Sequence, residues 1–125
     1  MAGTLLVTDD ALIVREIIKD TASAAGWEVA GEACNGQEAV DQYRELNPDV
    51  VTLDLVMPEY DGLHALRGIK QFDPQAKVVV VSALEQRGIL KEAFKAGATD
   101  FLGKPFDRQV LLETLQRAAP ENESH

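Results

Sequence analysis

Five polar side chains in this sequence could together carry out phosphoryl chemistry, and each one follows a short apolar run. They are Asp9, Asp10, Asp54, Ser82 and Lys104. Three carboxylates attract a hard cation such as Mg²⁺, and a lysine ammonium suits the oxygens of a phosphoryl group. A carboxylate can also attack phosphorus and form an aspartyl phosphate. The residues therefore predict a site for a divalent cation and a phosphoryl group, with Asp54 as the residue that is phosphorylated.

Four of these five residues also have a simpler structural interpretation. Asp10 is placed to cap the first helix, and Ser82 is placed to cap the fourth. An exposed lysine such as Lys104 is usually only solvated, and Asp54 could cap a turn. The cation site is favoured because three acids at one sheet edge repel one another strongly unless a cation or a proton neutralises them.

Strand-like and helix-like patterns alternate five times along the chain. The predicted strands cover residues 5–8, 27–33, 49–53, 78–81 and 99–102. The predicted helices cover residues 11–25, 37–46, 62–72, 85–96 and 107–119. Five such units predict an α/β fold, a single doubly wound domain with a parallel sheet between helices. Ligands bind to such sheets at the carboxyl ends of the strands, where all five candidate residues fall.

The bulk composition predicts one domain and excludes several classes of function. The chain has 125 residues, and its formal net charge of −9 argues against nucleic-acid binding and against an anionic membrane surface. No apolar stretch has the length of a membrane span. The single cysteine, Cys34, is expected to be buried, and the absence of an internal disulfide predicts a cytoplasmic location. We expect one domain over residues 1–120 and a frayed polar tail over residues 121–125.

The chain resembles the receiver domain of two-component response regulators over roughly residues 4–119. The motifs that carry the resemblance are Asp9-Asp10, Asp54 with Met57-Pro58-x-x-Asp61-Gly62, Ser82-Ala83 and Lys104-Pro105-Phe106. The segments Asn35-Gly36-Gln37-Glu38-Ala39 and Ala96-Gly97-Ala98-x-Asp100-Phe101 are most similar to the CheY-like single-domain chemotaxis regulators. The resemblance implies a flavodoxin-like, five-stranded sheet of order 2-1-3-4-5, an order that comes from the family and not from the residue pattern.

The resemblance also implies which residues take part in phosphorylation. Asp54 would accept a phosphoryl group from a histidine kinase. Mg²⁺ would be held by Asp10, Asp54 and the backbone carbonyl of Val56, with Asp9 acting through water. In that case the chain is a signalling switch and not an enzyme, since it would catalyse only its own phosphotransfer and dephosphorylation.

The family further implies how phosphorylation would be read by a partner. Ser82 and Lys104 would contact the phosphoryl group. Phe101 occupies the position of an aromatic switch, which would here act by packing alone because phenylalanine lacks a hydroxyl. A downstream protein would bind the face formed by helix four, strand five and helix five, which includes Lys91 and Lys95. The chain would be a monomer, or a dimer that forms on phosphorylation.

Two apolar residues predict a long-lived phosphoryl group. Val56 lies two residues after Asp54, and Leu84 lies two residues after Ser82. Both should flank the phosphoryl group, where neither can orient an attacking water and both can shield it. We therefore predict slow self-dephosphorylation.

Four other interpretations of the sequence stay open at this point. The chain could be a receiver excised from a larger response regulator, such as a transcription factor or a methylesterase. A phosphatase of the haloacid dehalogenase type would need a second aspartate where Val56 stands. A flavodoxin would need a phosphate-binding loop where Asp9-Asp10 stands. A pseudo-receiver would bind partners without phosphorylation, which the intact acid set disfavours.

Overall fold

The computed structural model describes residues 3–57, 61–83 and 87–120. Within these residues, five strands alternate with five helices, which confirms the predicted α/β class. The strands are β1 (Gly3–Thr8), β2 (Trp27–Ala33), β3 (Val50–Asp54), β4 (Val78–Ala83) and β5 (Asp100–Lys104). The helices are α1 (Leu12–Ala24), α2 (Gly36–Leu46), α3 (Gly62–Phe72), α4 (Arg87–Lys95) and α5 (Arg108–Ala118). The predicted start of the fourth helix at Glu85 and the predicted tail lie outside the described residues.

The strands form a parallel sheet of order β2-β1-β3-β4-β5, which confirms the doubly wound order that the resemblance implied. The central strand β3 lies between β1 and β4, and all five of its residues are buried. A strand that is covered by helices on both faces is expected to be apolar throughout, as the Val50–Leu53 part of β3 largely is. The carboxyl end of β3 therefore lies in the middle of one sheet edge.

The core consists of two layers, one on each face of the sheet. One layer lies against α2, α3 and α4, and the other lies against α1 and α5. Neighbouring residues of β3 supply opposite layers, because successive strand side chains point to opposite faces. Val51 and Leu53 belong to the first layer, and Val50 belongs to the second. Both faces of the sheet are thus covered, and the strand ends are left as the place for a site.

The outer strand β2 departs from regular pairing at one point. Leu5 of β1 pairs with Val29, but Leu6 pairs with Gly31, so Ala30 is an extra residue in β2. An insertion of this kind is a β-bulge, which bends the strand and increases its twist.

Side-chain caps begin three of the helices. Asn35, Asp61 and Asp107 each accept a hydrogen bond from a backbone N–H in the first turn of α2, α3 and α5. The prediction that Asp10 caps α1 is wrong. Ala11 holds the N-cap position, and its methyl side chain cannot accept a hydrogen bond, so α1 begins without a side-chain cap. The Ala11 N–H is itself bound by the carboxylate of Asp9.

Two further observations concern the surface. The expectation that Cys34 is buried is wrong, since it is exposed between β2 and α2, where its backbone N–H donates to Glu38. Among the helices of the described residues, none combines the length and the apolar character that crossing a bilayer requires.

Candidate functional site

The parallel sheet brings three carboxylates together at one edge. Asp9 and Asp10 follow β1, and Asp54 is the last residue of the adjacent strand β3. One carboxylate oxygen from each of the three lies within 4.8 Å of the others. The strand-end placement that the sequence predicted is therefore what the structure shows for these acids.

Asp9 is the most constrained of the three acids, with 1% of its surface exposed. One carboxylate oxygen accepts a hydrogen bond from the Ala11 N–H at 2.9 Å, and the other accepts one from Lys104 Nζ at 2.9 Å. Its backbone N–H donates to the Ala33 carbonyl at 3.1 Å. Both carboxylate oxygens of Asp9 thus have partners within the protein, whereas Asp10 is exposed.

Asp54 is an acid whose ionised form is disfavoured by its surroundings. It is 5% exposed, and burial together with the negative charge of Asp9 raises its pKa to about 6. Lys104 and a hydrogen bond from the Val56 N–H at 3.2 Å act in the opposite direction. A bound cation would offset this electrostatic cost, because it favours the ionised form.

Lys104, the last residue of β5, joins two of the acids. Its Nζ lies 2.9 Å from Asp9 Oδ2 and 3.5 Å from Asp54 Oδ2. Burial alone would lower the pKa of Lys104, but the hydrogen bond to Asp9 and the charge of Asp54 outweigh it and raise the pKa. The Lys104 side chain therefore stays protonated beside Asp54. The peptide bond between Lys104 and Pro105 is cis.

Ser82 and Phe101 lie on neighbouring strands beside this cluster. Ser82 is buried in β4, one residue beyond the position that pairs with Asp54, and it pairs in register with Gly103. The alternative prediction, that Ser82 caps the fourth helix, concerns residues 84–86, which lie outside the described residues. Phe101 is half-buried and packs against the core layer below α4.

The flanking position Val56 lies at the mouth of the site, 44% exposed. Leu84, which was predicted to flank the phosphoryl group together with Val56, lies outside the described residues, as does Pro58. The start of α3 lies close to the backbone at the end of β3, where the Gly62 N–H donates to the Leu55 carbonyl at 3.2 Å. A Cβ on Gly62 would clash with the Asp54 carbonyl oxygen and lie 2.5 Å from Leu55 Cα, so glycine is required there.

The cluster contains the kind of donor set that Mg²⁺ prefers. Carboxylate oxygens are hard ligands, and Mg²⁺ commonly binds through one or two carboxylates while it keeps several waters. Asp10 is exposed and Asp54 has a raised pKa, so a bound cation would stabilise the ionised forms of these two carboxylates most. The residues present therefore fit a magnesium ion.

One residue near the site was not selected from the sequence. Arg15 in α1 donates a hydrogen bond from Nη1 to the backbone carbonyl of Asp9 at 2.7 Å. It also pairs with Glu32 at the end of β2. The sequence showed only a basic residue in the helix that follows two aspartates. Arginines are common in helices, so the contact with Asp9 could be recognised only from the fold.

Comparisons with known proteins agree on one family. The family model of the response regulator receiver domain matches residues 5–116. The chain is similar to the chemotaxis protein CheY of Thermotoga maritima, with 47% identity over 119 residues, which cover 95% of this chain and 99% of that protein. This similarity favours a CheY-like receiver over one from a transcription factor or a methylesterase.

Solved structures show the same fold. A chain of the CheX–CheY–BeF3–Mg complex from Borrelia burgdorferi superimposes with a TM-score of 0.86 and 33% identity, over 91% of this chain and 87% of that chain. The response regulator domain of Thermotoga maritima CheB superimposes with a TM-score of 0.83 and 36% identity, over 94% of each chain.

Proposed function

The chain belongs to the response regulator receiver family, and from this membership we propose that it is a phospho-acceptor switch in which Asp54 takes a phosphoryl group from a histidine kinase. The observation that carries this proposal is the convergence of three acids and Lys104 at one sheet edge. A phosphatase of the haloacid dehalogenase type and a flavodoxin belong to other families and are not favoured.

In the proposed reaction, an oxygen of the Asp54 carboxylate attacks phosphorus. A new P–O bond forms, and the P–N bond to the donor histidine breaks with its electron pair moving to the ring nitrogen. A pKa of about 6 leaves Asp54 mostly ionised at neutral pH, so it is available as the nucleophile. Lys104, 3.5 Å from Asp54, would neutralise a phosphoryl oxygen.

Magnesium would supply charge neutralisation between Asp54 and the incoming phosphoryl oxygens. Its proposed ligands are Asp10, Asp54 and the backbone carbonyl of Val56, with Asp9 acting through water. The engagement of both Asp9 oxygens with Ala11 and Lys104 supports the indirect role of Asp9.

We also propose how the phosphorylated state would be recognised. Ser82 would donate to a phosphoryl oxygen, and Phe101 would repack in response. The partner surface would be the face of α4, β5 and α5, where Lys91 and Lys95 are exposed. The assembly would be a monomer or a phosphorylation-dependent dimer.

Three broader expectations accompany this function. The receiver would span residues 1–120, and the protein would act in the cytoplasm, as expected for this family. It would have no catalytic activity on other substrates, because Val56 stands where a phosphatase of this general chemistry needs a second acid.

The test is the intact mass after incubation with acetyl phosphate, with and without Mg²⁺. We expect a single phosphoryl adduct that needs both Mg²⁺ and Asp54, and that is absent in Asp54→Ala. Asp20→Ala is the matched control, because Asp20 is an exposed acid of α1. An adduct on the Asp54→Ala variant, or none on the folded wild-type protein, would overturn the proposal.

A further inference from the structure

Arg15 is held at both ends of its guanidinium group. Its Nη1 donates to the Asp9 carbonyl oxygen at 2.7 Å, and its Nε donates to Glu32 Oε1 at 2.8 Å. The side chain is only 15% exposed, so this fork joins α1 to the ends of β1 and β2 with little access to solvent. A planar guanidinium suits such a double contact, because its donors are fixed relative to one another.

The carbonyl that Arg15 binds belongs to the peptide unit between Asp9 and Asp10. On the other side of Asp10, the Ala11 N–H is bound by the Asp9 carboxylate at 2.9 Å. The backbone of Asp10 is therefore held before and after the residue, while its carboxylate is exposed at the site. Both hydrogen bonds thus act on the backbone from which that carboxylate projects.

Glu32 keeps Arg15 in place. Hydrogen bonds from Lys19 at 2.7 Å and from Arg15 lower the pKa of Glu32, which holds it in the ionised form. Lys19 also pairs with Glu16 at 2.8 Å, so it belongs to the same ionic network. Arg67 is a matched control, because it is an exposed arginine of α3 that has no hydrogen bond to Arg15 or Glu32 among the described residues.

We propose that Arg15, anchored by Glu32, is a positioning residue for divalent cation binding and acts through the backbone between Asp9 and Asp10. The inference rests on the proposed magnesium-dependent function. It predicts a change in Mg²⁺ affinity, on removal of Arg15, that is opposite to the change expected from charge alone. A guanidinium near the site repels Mg²⁺, so its charge alone would make removal of Arg15 tighten binding. As a positioning residue, its removal weakens binding, because the Asp10 carboxylate loses its fixed direction.

The measurement is the Mg²⁺ dissociation constant by isothermal titration calorimetry, for the wild-type protein and for Arg15→Met, Arg15→Lys and the control Arg67→Met. We expect Mg²⁺ binding to weaken by about 10-fold or more in Arg15→Met, the range typical of groups that orient metal ligands. Arg15→Lys should show a smaller loss, since one ammonium cannot maintain both contacts. Arg67→Met should bind Mg²⁺ as tightly as the wild-type protein, because it removes one exposed positive charge and leaves both contacts of Arg15 in place.

The yield of the acetyl phosphate adduct at high and low Mg²⁺ distinguishes a positioning role of Arg15 from a role in folding alone. At saturating Mg²⁺, both Arg15 variants should form the acetyl phosphate adduct to nearly the wild-type extent, with the defect appearing only at low Mg²⁺. An unchanged or tighter dissociation constant in the Arg15 variants would overturn the inference alone. If Arg15→Met fails to fold, Arg15→Lys decides the question by the same measurement. Failure of the wild-type protein to bind Mg²⁺ or form the adduct would overturn the proposed function as well.

Discussion

Replacing Asp54 by asparagine should stabilise the metal-free protein at neutral pH. Burial and the charge of Asp9 raise the pKa of Asp54 from 3.8 to about 6. Since each pKa unit corresponds to about 1.4 kcal/mol, the ionised carboxylate costs the folded state about 3 kcal/mol. The attraction to Lys104 is already included in this value, because it lowers the pKa against the other two effects. Asparagine has nearly the same shape and carries no charge, so the variant should regain most of this free energy.

The pH dependence gives this prediction a definite sign. A carboxyl group with a raised pKa in the folded state keeps its proton longer when folded than when unfolded. Its contribution to stability is therefore present below pH 3.8 and is lost as the pH rises through about 6. The free energy of unfolding of Asp54→Asn, relative to wild type, should increase across this interval and level off above it.

The assay is urea unfolding in the presence of a chelator, at about pH 4 and about pH 7.5. Asp20→Asn is the matched control, since it removes one negative charge from an exposed position. Mg²⁺ should then stabilise the wild-type protein more than Asp54→Asn, because it binds the folded form through that carboxylate. A difference between Asp54→Asn and wild type that is the same at both pH values would refute the reasoning.

Three further substitutions test the packing, the ion pair and the shielding of the site. Gly62→Ala should lower the free energy of unfolding by about 1–3 kcal/mol, because its Cβ would press on the backbone that follows β3. Gly88→Ala, whose Cβ would meet no atom within 4 Å among the described residues outside its own helix backbone, should not be destabilising, and equal losses in both variants would contradict the packing argument. Lys104→Met should cost about 3 kcal/mol in urea unfolding, because it leaves buried Asp9 without its cation, and an unchanged stability would show that the pair contributes nothing. Val56→Asn should shorten the lifetime of the phosphoryl adduct, followed by its mass over time, because an amide can orient water, and an unchanged lifetime would exclude a shielding role for Val56.

Element types were predictable because they depend on local patterns. The valine run over residues 78–81 indicated a buried strand, and its residues are all buried within β4. The helix caps Asn35 and Asp61 were likewise predictable, since an acceptor side chain binds the N–H groups of its own first turn. Asp10 was predicted wrongly because the residue pattern does not fix the first residue of a helix: α1 begins one residue later than predicted, so Ala11 and not Asp10 takes the N-cap position.

The site was predictable to the extent that it follows from topology. Parallel strands place their carboxyl ends at one edge, so the gathering of Asp9, Asp10 and Asp54 required only the element assignment. The strand order came from the family resemblance, because residue patterns do not say which strands are neighbours. The Arg15–Glu32 pair could not be predicted, since it depends on how α1 crosses the ends of β1 and β2.

The bulge in β2 has a consequence for behaviour at high concentration. The outer edges of β2 and β5 have no neighbouring strand in the described residues, and such edges invite strand pairing between molecules. The extra residue Ala30 interrupts the regular hydrogen-bonding repeat of β2, and Glu28 and Glu32 add negative charge along it. Asp100 and Lys104 place charges at the two ends of β5. The bulge and these charges should therefore disfavour edge-to-edge strand pairing between molecules at high concentration.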